Sequence, residues 1–257
     1  KINVTARCIF SSVVCANEDQ NGLPNPYKQE TNFEFIMNDN CSGINQGVIA
    51  VRSVKADIGT LLRHLTAEEK SAGLIETELD RIAYAVIVNK KNPVKELSME
   101  QILGIFAGRI QNWKEVGGKD APILIYRQEC GAGYDHIMDQ ALAKAGIRKN
   151  QKRLKEAVMS VEITDNQFEK IADYDMSVTM APRFFFDDNS RHLKIEGILP
   201  SRTSEKDGDY PFLANMSLVS RKDLSGSAKK FLAFITGPHG KALIEKGLGM
   251  DWLKQGF

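Results

Sequence analysis

The chain has 257 residues, 42% of them apolar and 26% charged, and a formal net charge of +1. That is the balance of an ordinary globular protein long enough for two medium lobes, each with its own core. Interspersed charges of both signs leave no footprint for nucleic acid or an anionic membrane surface, and no apolar run approaches the roughly 20 residues of a membrane-spanning helix. The chain begins at Lys1 without a methionine and enters a strand at once, which reads as a mature or trimmed product.

Residues 2–5 form a short strand, and residues 9–17 read as a helix with Ile9, Val13 and Ala16 on its inner face. Asn21-Gly-Leu-Pro-Asn-Pro26 is turn-forming. A second strand is expected over 33–37, a loop over 38–43 and a helix over 44–51. Ala56-Asp57-Ile58-Gly59 gives a third strand, with residues 60–65 as the loop after it. Thr66 with Glu69 three residues on makes a capping box at the start of the next helix. Residues 82–88 are the longest apolar strand candidate. Ser98 with Gln101 marks a second capping box, opening a helix that Gly108 stops. Residues 112–118 are read as a turn. Residues 143–175 are charged and read as helical with weak boundaries. Short strands are expected over 175–180 and 217–220, and helices over 227–235 and 238–247.

Between these lies Ile123-Leu-Ile-Tyr-Arg-Gln-Glu-Cys-Gly-Ala-Gly-Tyr134. It reads as an apolar strand, a loop of small residues and the start of an amphipathic helix, where backbone N–H groups converge on an anion or polar ligand. Cys130 stands in this loop where a hydroxyl residue would ordinarily serve an oxyanion. The strand–loop–helix alternation along the chain predicts an α/β sheet with ligand-binding loops at the strand C-termini.

The four cysteines, Cys8, Cys15, Cys41 and Cys130, are too few for a disulfide scaffold and fit no zinc or CxxC pattern. Two disulfides stay open as a reading if the protein is secreted. If Cys8 and Cys15 share a helix they stand roughly 10 Å apart along its axis, so Cys15 reads as core. No Ser/His/Asp set, phosphate-cradling P-loop or HExxH pattern occurs, no cofactor is called for, and nothing argues for catalysis. His64 and His136 lie near the loops in sequence and read first as partly exposed helix-start residues, and second as tuners of a nearby thiolate. Trp113 and Phe106 read as packing residues.

Residues 92–118, Asn-Pro-Val-Lys-Glu-Leu-Ser-Met-Glu-Gln-Ile-Leu-Gly-Ile-Phe-Ala-Gly-Arg-Ile-Gln-Asn-Trp-Lys-Glu-Val-Gly-Gly, strongly resemble the central signature of the periplasmic phosphate-binding proteins of ABC uptake systems. Ala56-Asp57-Ile58-Gly59 followed by Arg63 is similar to that family's loop with a ligand-contacting arginine. Tyr210-Pro211 and residues 227–249 resemble its C-terminal region. The resemblance implies a type II periplasmic-binding fold: two α/β lobes joined by two crossover strands, with a ligand cleft between them. One lobe is expected over 1–84 and 195–257 and the other over 85–194. It also implies an exported, periplasmic protein that is not integral to the membrane.

The ligand loops depart from the family. Where its turns are rich in serine and threonine, this chain reads Arg7-Cys8-Ile9, Asn40-Cys41-Ser42-Gly43 and Cys130-Gly131-Ala132-Gly133-Tyr134. A thiol is a weak donor to a phosphate dianion, whereas three converging thiolates suit a soft, thiophilic centre. Arg7-Cys8 with Cys15 is also similar to the N-terminal motif of the family's arsenic-sensing relatives, which partner two-component histidine kinases. The resemblance therefore implies arsenite as first ligand, bonded by Cys8, Cys41 and Cys130. Arg63, Arg7, Ser42, Gly43, Gly131, Ala132 and Gly133 would hold its remaining oxygens, and a membrane histidine kinase would read closure. The alternatives are a phosphate- or arsenate-binding protein serving an ABC permease, thiol-based binding of a metal ion, and, least supported, a thiol-dependent oxyanion reductase.

Overall fold

The computed structural model describes residues 2–5, 35–37, 45–128, 133–161, 174–184, 188–224 and 226–249. The helix expected over 9–17 lies outside them. The described chain divides into two compact units, one up to Arg81 and again from Asn215, the other from Ile82 to Ala214. The sequence placed the two crossings at 84/85 and 194/195. The contact division falls at 81/82 and 214/215. The residues after 195 remain with the second unit because they are bonded into it: Ala83 N–H donates to the Glu205 carboxylate (2.8 Å), and Tyr84 N–H to the Phe212 carbonyl (2.8 Å).

In the first unit, strands β1 (Ile2–Thr5), β2 (Phe35–Met37) and β3 (Ile58–Leu61) are parallel, with β1 in the middle. Strand β11 (Leu213–Arg221) closes the far side of β3 in antiparallel register, Leu61 opposite Ser217 and Ile58 opposite Ser220. Helix α1 (Gln46–Arg52) lies on this sheet and buries Val48 and Val51 with Ala56, Leu61, Leu65, Leu74 and Val219. Two glycines set how closely it packs. A Cβ on Gly47 would come within 2.3 Å of the Thr60 carbonyl oxygen, and one on Gly59 within 2.4 Å of the Gly47 carbonyl oxygen. Backbone meets backbone there, which only glycine permits. Helix α2 (Ala67–Ser71) starts at the expected capping box: Glu69 N–H donates to Thr66 Oγ1 (3.2 Å) and Thr66 N–H to Glu69 Oε2 (2.9 Å).

Strand β4 (Leu74–Asn89) is twice as long as its apolar half suggested. After buried Leu74, residues 75–81 are intermediate or exposed and include Glu76, Thr77, Glu78, Asp80 and Arg81, while 82–89 are buried throughout. That change of character coincides with the crossing at Arg81–Ile82. In the second unit β4 pairs antiparallel with β8 (Ser177–Pro182), and β8, β6 (Leu124–Gln128) and β7 (Val158–Val161) continue the sheet in parallel. Strand β9 (Ser190–His192) adds to the end of β4, while β5 (Glu96–Leu97) and β10 (Lys194–Ile195) pair with each other.

Helix α3 (Met99–Phe106) begins at the second expected capping box, Ser98 with Gln101, and ends before Gly108, whose φ of +71° no β-branched residue would adopt readily. The turn expected over 112–118 is one turn of 3₁₀ helix, Trp113–Val116, capped by Asn112. Trp113 is wholly buried, and its indole N–H donates to the Met176 carbonyl (2.7 Å). Helix α4 (Gly133–Lys144) follows the glycine-rich loop, and α5 (Gln151–Ala157) leads into β7. Of the helical expectation over 143–175, residues 151–157 are helical, Val-Met-Ser-Val at 158–161 is instead a strand paired with β6, and 162–173 lie outside the described residues. Helix α6 (Arg202–Asp207) was not anticipated. Helices α7 (Gly226–Thr236) and α8 (Pro238–Gly249) return to the first unit and stand close to the expected bounds. Among the described residues no helix is long and apolar enough to cross a membrane.

Candidate functional site

The parallel pairing of β1 with β2 and β3 makes all three strands end at one edge of their sheet. The chain segments that follow are those singled out in the sequence. Arg7 and Cys8 come two and three residues after β1, Cys41, Ser42 and Gly43 four to six residues after β2, and Arg63 two residues after β3. In the second unit Cys130, Gly131 and Ala132 fall between the end of β6 and the start of α4 at Gly133. Each candidate loop therefore follows the C-terminal end of a parallel strand, the position at which open α/β sheets carry ligands. Arg7, Cys8, Cys41, Ser42, Gly43, Cys130, Gly131 and Ala132 themselves, like Cys15, lie outside the described residues. Gly133 is placed as the first residue of α4.

Arg63 is the candidate whose side chain the structure describes, and its surroundings differ from the expected ones. The guanidinium is held on three sides by protein acceptors. Nε (3.1 Å) and Nη2 (2.8 Å) both donate to Asn45 Oδ1, Nη1 donates to the His64 carbonyl (2.8 Å), and Nη1 and Nη2 form a fork on Glu69 at 2.8 Å each. A guanidinium carries five N–H donors, and these bonds occupy all five. A ligand contacting Arg63, as the sequence led one to expect, would have to share or displace one of these partners.

The electrostatics agree from both sides. The Arg63 fork, together with the Thr66 N–H, outweighs the cost of burial and holds the Glu69 carboxyl at about 2, and Glu69 in turn raises Arg63. Nothing in the residue pattern announced this use of Glu69, beyond its place in a capping box. Asn45 was equally unmarked. Asparagine at the start of a helix is a preferred cap, yet its side chain makes no capping bond to α1. Its oxygen is turned to Arg63 instead.

His64 sits beside this network with most of its side chain exposed (63%). Its Nδ1 lies 3.0 Å from Glu76 Oε1, and the Asn215 amide lies against its ring. Glu76 also accepts from Leu65 N–H (3.0 Å) and Ser217 Oγ (3.1 Å). Burial works to raise the Glu76 carboxyl, and these donors bring it below the ordinary range all the same. Arg127 is placed on β6 opposite Ser160, and His136 on α4. Among the described residues no cluster of histidine, cysteine and carboxylate side chains could hold a metal ion.

Comparison with known proteins bears on the family and the fold. The phosphate-binding protein PstS of Bacillus subtilis is 27% identical over 217 residues, covering 80% of this chain and 67% of its own. PstS 2 of Streptococcus pneumoniae is 36% identical over a shorter stretch of 95 residues. Among solved structures, a chain from Clostridium perfringens, assigned to phosphate ABC transport as a substrate-binding protein and crystallised with bound phosphate, superposes with a TM-score of 0.80 at 25% identity. It covers 96% of this chain and 97% of its own. A Vibrio cholerae ABC-type phosphate transport receptor shares the fold, with a TM-score of 0.74 at 20% identity over 96% and 98% of the two chains. These neighbours establish the α/β type II periplasmic-binding fold. The model of the PBP superfamily domain matches residues 26–239, and the chain belongs to that family.

Proposed function

We propose that this chain is the solute-binding component of an ABC uptake system and that it binds a tetrahedral oxyanion, phosphate or arsenate. The observation that carries this reading is the placement of all four candidate loops at the C-terminal ends of parallel strands, in a chain whose relatives are named for phosphate binding. Backbone N–H groups and small side chains at Ser42, Gly43, Gly131, Ala132 and Gly133, with Arg7, would supply the donors. The family implies export, a permease as partner and no chemistry on the ligand. This reading takes first place over the arsenite sensor suggested by the cysteines, because the relatives named above are phosphate binders.

A second reading keeps its standing from one specific feature. Cys8, Cys41 and Cys130 fall singly in three of those loops, and three thiolates would bind trivalent arsenic, with a membrane histidine kinase as partner. Thiol-based binding of zinc is the remaining outcome.

Thermal denaturation of the reduced protein separates the three. A ligand at about 100 times its Kd adds about 2.7 kcal/mol of stability, which is an easily measured rise in Tm. Phosphate and arsenate are expected to stabilise both the wild type and Cys130→Ser. Stabilisation by arsenite alone, abolished in Cys130→Ser and in oxidised protein, would replace the phosphate reading with the arsenic one. Stabilisation by zinc alone would replace both.

A further inference from the structure

A net charge of +1 hides one stretch in which charge is segregated. From Lys144 to Lys155 six of the twelve residues are cationic and none is acidic. We propose that this stretch, with Arg109, forms a basic face of the second unit that docks reversibly on an anionic lipid surface. The docking does not depend on what fills the ligand loops. For a solute-binding component it would hold the protein in the plane of its permease.

Local structure brings these cations together. After α4 the chain turns at Gly146, whose φ of +66° suits glycine, and exposed Lys144 and Arg148 stand on either side of it. Helix α5 is seated by buried Leu154, which leaves Lys152, Arg153 and Lys155 exposed. The end of α3 lies against it: Asn150 N–H donates to the Ala107 carbonyl (2.7 Å), and a Cβ on Gly108 would come within 3.1 Å of Leu154 Cγ. Exposed Arg109, the next residue, therefore joins the same face. Helix α5 leads directly into Val158 at the start of β7, whereas the glycine-rich loop follows Gln128 at the end of the parallel strand β6. The basic face thus lies at the opposite edge of the sheet from that loop.

The charge is largely uncompensated. Lys149 pairs with Asp139 (2.5 Å), but among the described residues none of the other six cations is in an ion pair. Lys152 and Lys155 stand one turn apart, a spacing at which like charges disfavour a helix, so stability does not account for the pattern. The kind of partner follows from what the face lacks. The exposed large apolar side chains among the described residues are Ile49, Val54, Ile75 and Leu199, all outside this stretch. A protein interface draws its affinity from buried aromatic and apolar anchors and is poor in lysine. Single-stranded nucleic acid needs aromatic platforms for its bases, and a helix that inserts among lipids needs an apolar face. Spread cations without anchors fit a plane of anionic headgroups, where each lysine or arginine near the surface adds about fivefold in affinity.

The test is co-sedimentation of the whole chain with vesicles of phosphatidylcholine, alone or with one third phosphatidylglycerol, at low and at physiological salt. Wild type should bind the phosphatidylglycerol vesicles and not the neutral ones, and should lose affinity as salt screens the charges. Lys152→Glu with Arg153→Glu should bind at least tenfold more weakly at an unchanged Tm, because both side chains are exposed. Lys152→Gln with Arg153→Gln takes its place if the charge reversal unfolds the protein. Lys229→Glu with Lys230→Glu, at exposed positions of α7 in the first unit, makes the same change in net charge and should lose less than threefold. No binding of wild type to phosphatidylglycerol vesicles at low salt would overturn the proposal. Equal losses in the two pairs would do the same, because net charge and not a docking face would then be at work. Binding of polyglutamate or duplex DNA in place of the vesicles, lost in the Lys152 and Arg153 pair, would assign the face to a protein or a nucleic acid and overturn it as well.

Discussion

Two arginine–glutamate assemblies, one in each unit, look alike on paper and do different work. In the second unit Glu205 is 1% exposed and accepts from Arg183 Nε (2.8 Å) and Nη2 (3.1 Å), from Arg202 Nη1 (3.1 Å) and from Ala83 N–H (2.8 Å). Its carboxylate is the centre, two cations surround it, and the backbone it holds is the start of the buried half of β4. In the first unit the cation is the centre. Arg63 gathers a carboxylate, a side-chain amide and a carbonyl, and the groups it orients belong to the segments flanking candidate ligand loops. A buried carboxylate ringed by donors anchors a strand. A guanidinium ringed by acceptors ties the residue before α1 to the first turn of α2.

The largest effect expected from this contrast is at Glu205. Replacement by Ala leaves two arginines beside each other in a buried place and a strand N–H without an acceptor. Breaking a buried pair in this way costs on the order of 3–5 kcal/mol, and urea denaturation should register it. If instead Glu205→Ala cost under about 1 kcal/mol, the anchor would be no better than a surface ion pair. Next comes the glycine contact. Gly47→Ala puts a methyl group onto the Thr60 carbonyl, and overpacking with no room to relax costs about 1–3 kcal/mol or more. Because the contact is backbone on backbone, Gly59→Ala should be at least as damaging.

The Glu69 carboxyl makes a pH prediction with a definite sign. Its folded-state value is depressed to about 2, so its stabilisation is fully present above the ordinary carboxylate value of 4.5 and is lost as pH falls from there through 2. The stability gap between wild type and Glu69→Gln should therefore be constant above about pH 5 and shrink towards zero near pH 2. A gap that did not narrow on acidification would mean that the carboxyl is not depressed in the folded chain relative to the unfolded one. The smallest effect belongs to Thr66→Ala, which removes one cap bond from α2 at a cost of about 1 kcal/mol. It should lower stability by no more than that, because Arg63 itself still meets Glu69.

What the sequence made legible was whatever local chemistry decides. The capping boxes at Thr66 and Ser98, the stop at Gly108, and the strands around Val4, Ile36 and Ile58 all follow from nearest-neighbour rules, and all are present within a residue or two. What could not be read were choices between distant residues. Val158–Val161 becomes a strand because β6 recruits it, the second crossing falls at Ala214 because residues 190–212 bond back onto β4 and β5, and Arg63 meets Asn45 across eighteen positions. A resemblance can say that an arginine belongs near the site. Only the acceptors around it say whether it has a donor to spare.

The antiparallel seam of β3 with β11 has a consequence for the order in which the chain is made. Ile82–Ala214 is an uninterrupted stretch of the second unit, and β11, which closes β3 in the first, comes only at its end. Leu61 must wait for Ser217, and until then the far edge of β3 has no partner. An open strand edge is a template for pairing with other chains. Among the described strands of the first unit, β3 is thus the one whose partner comes latest in the chain.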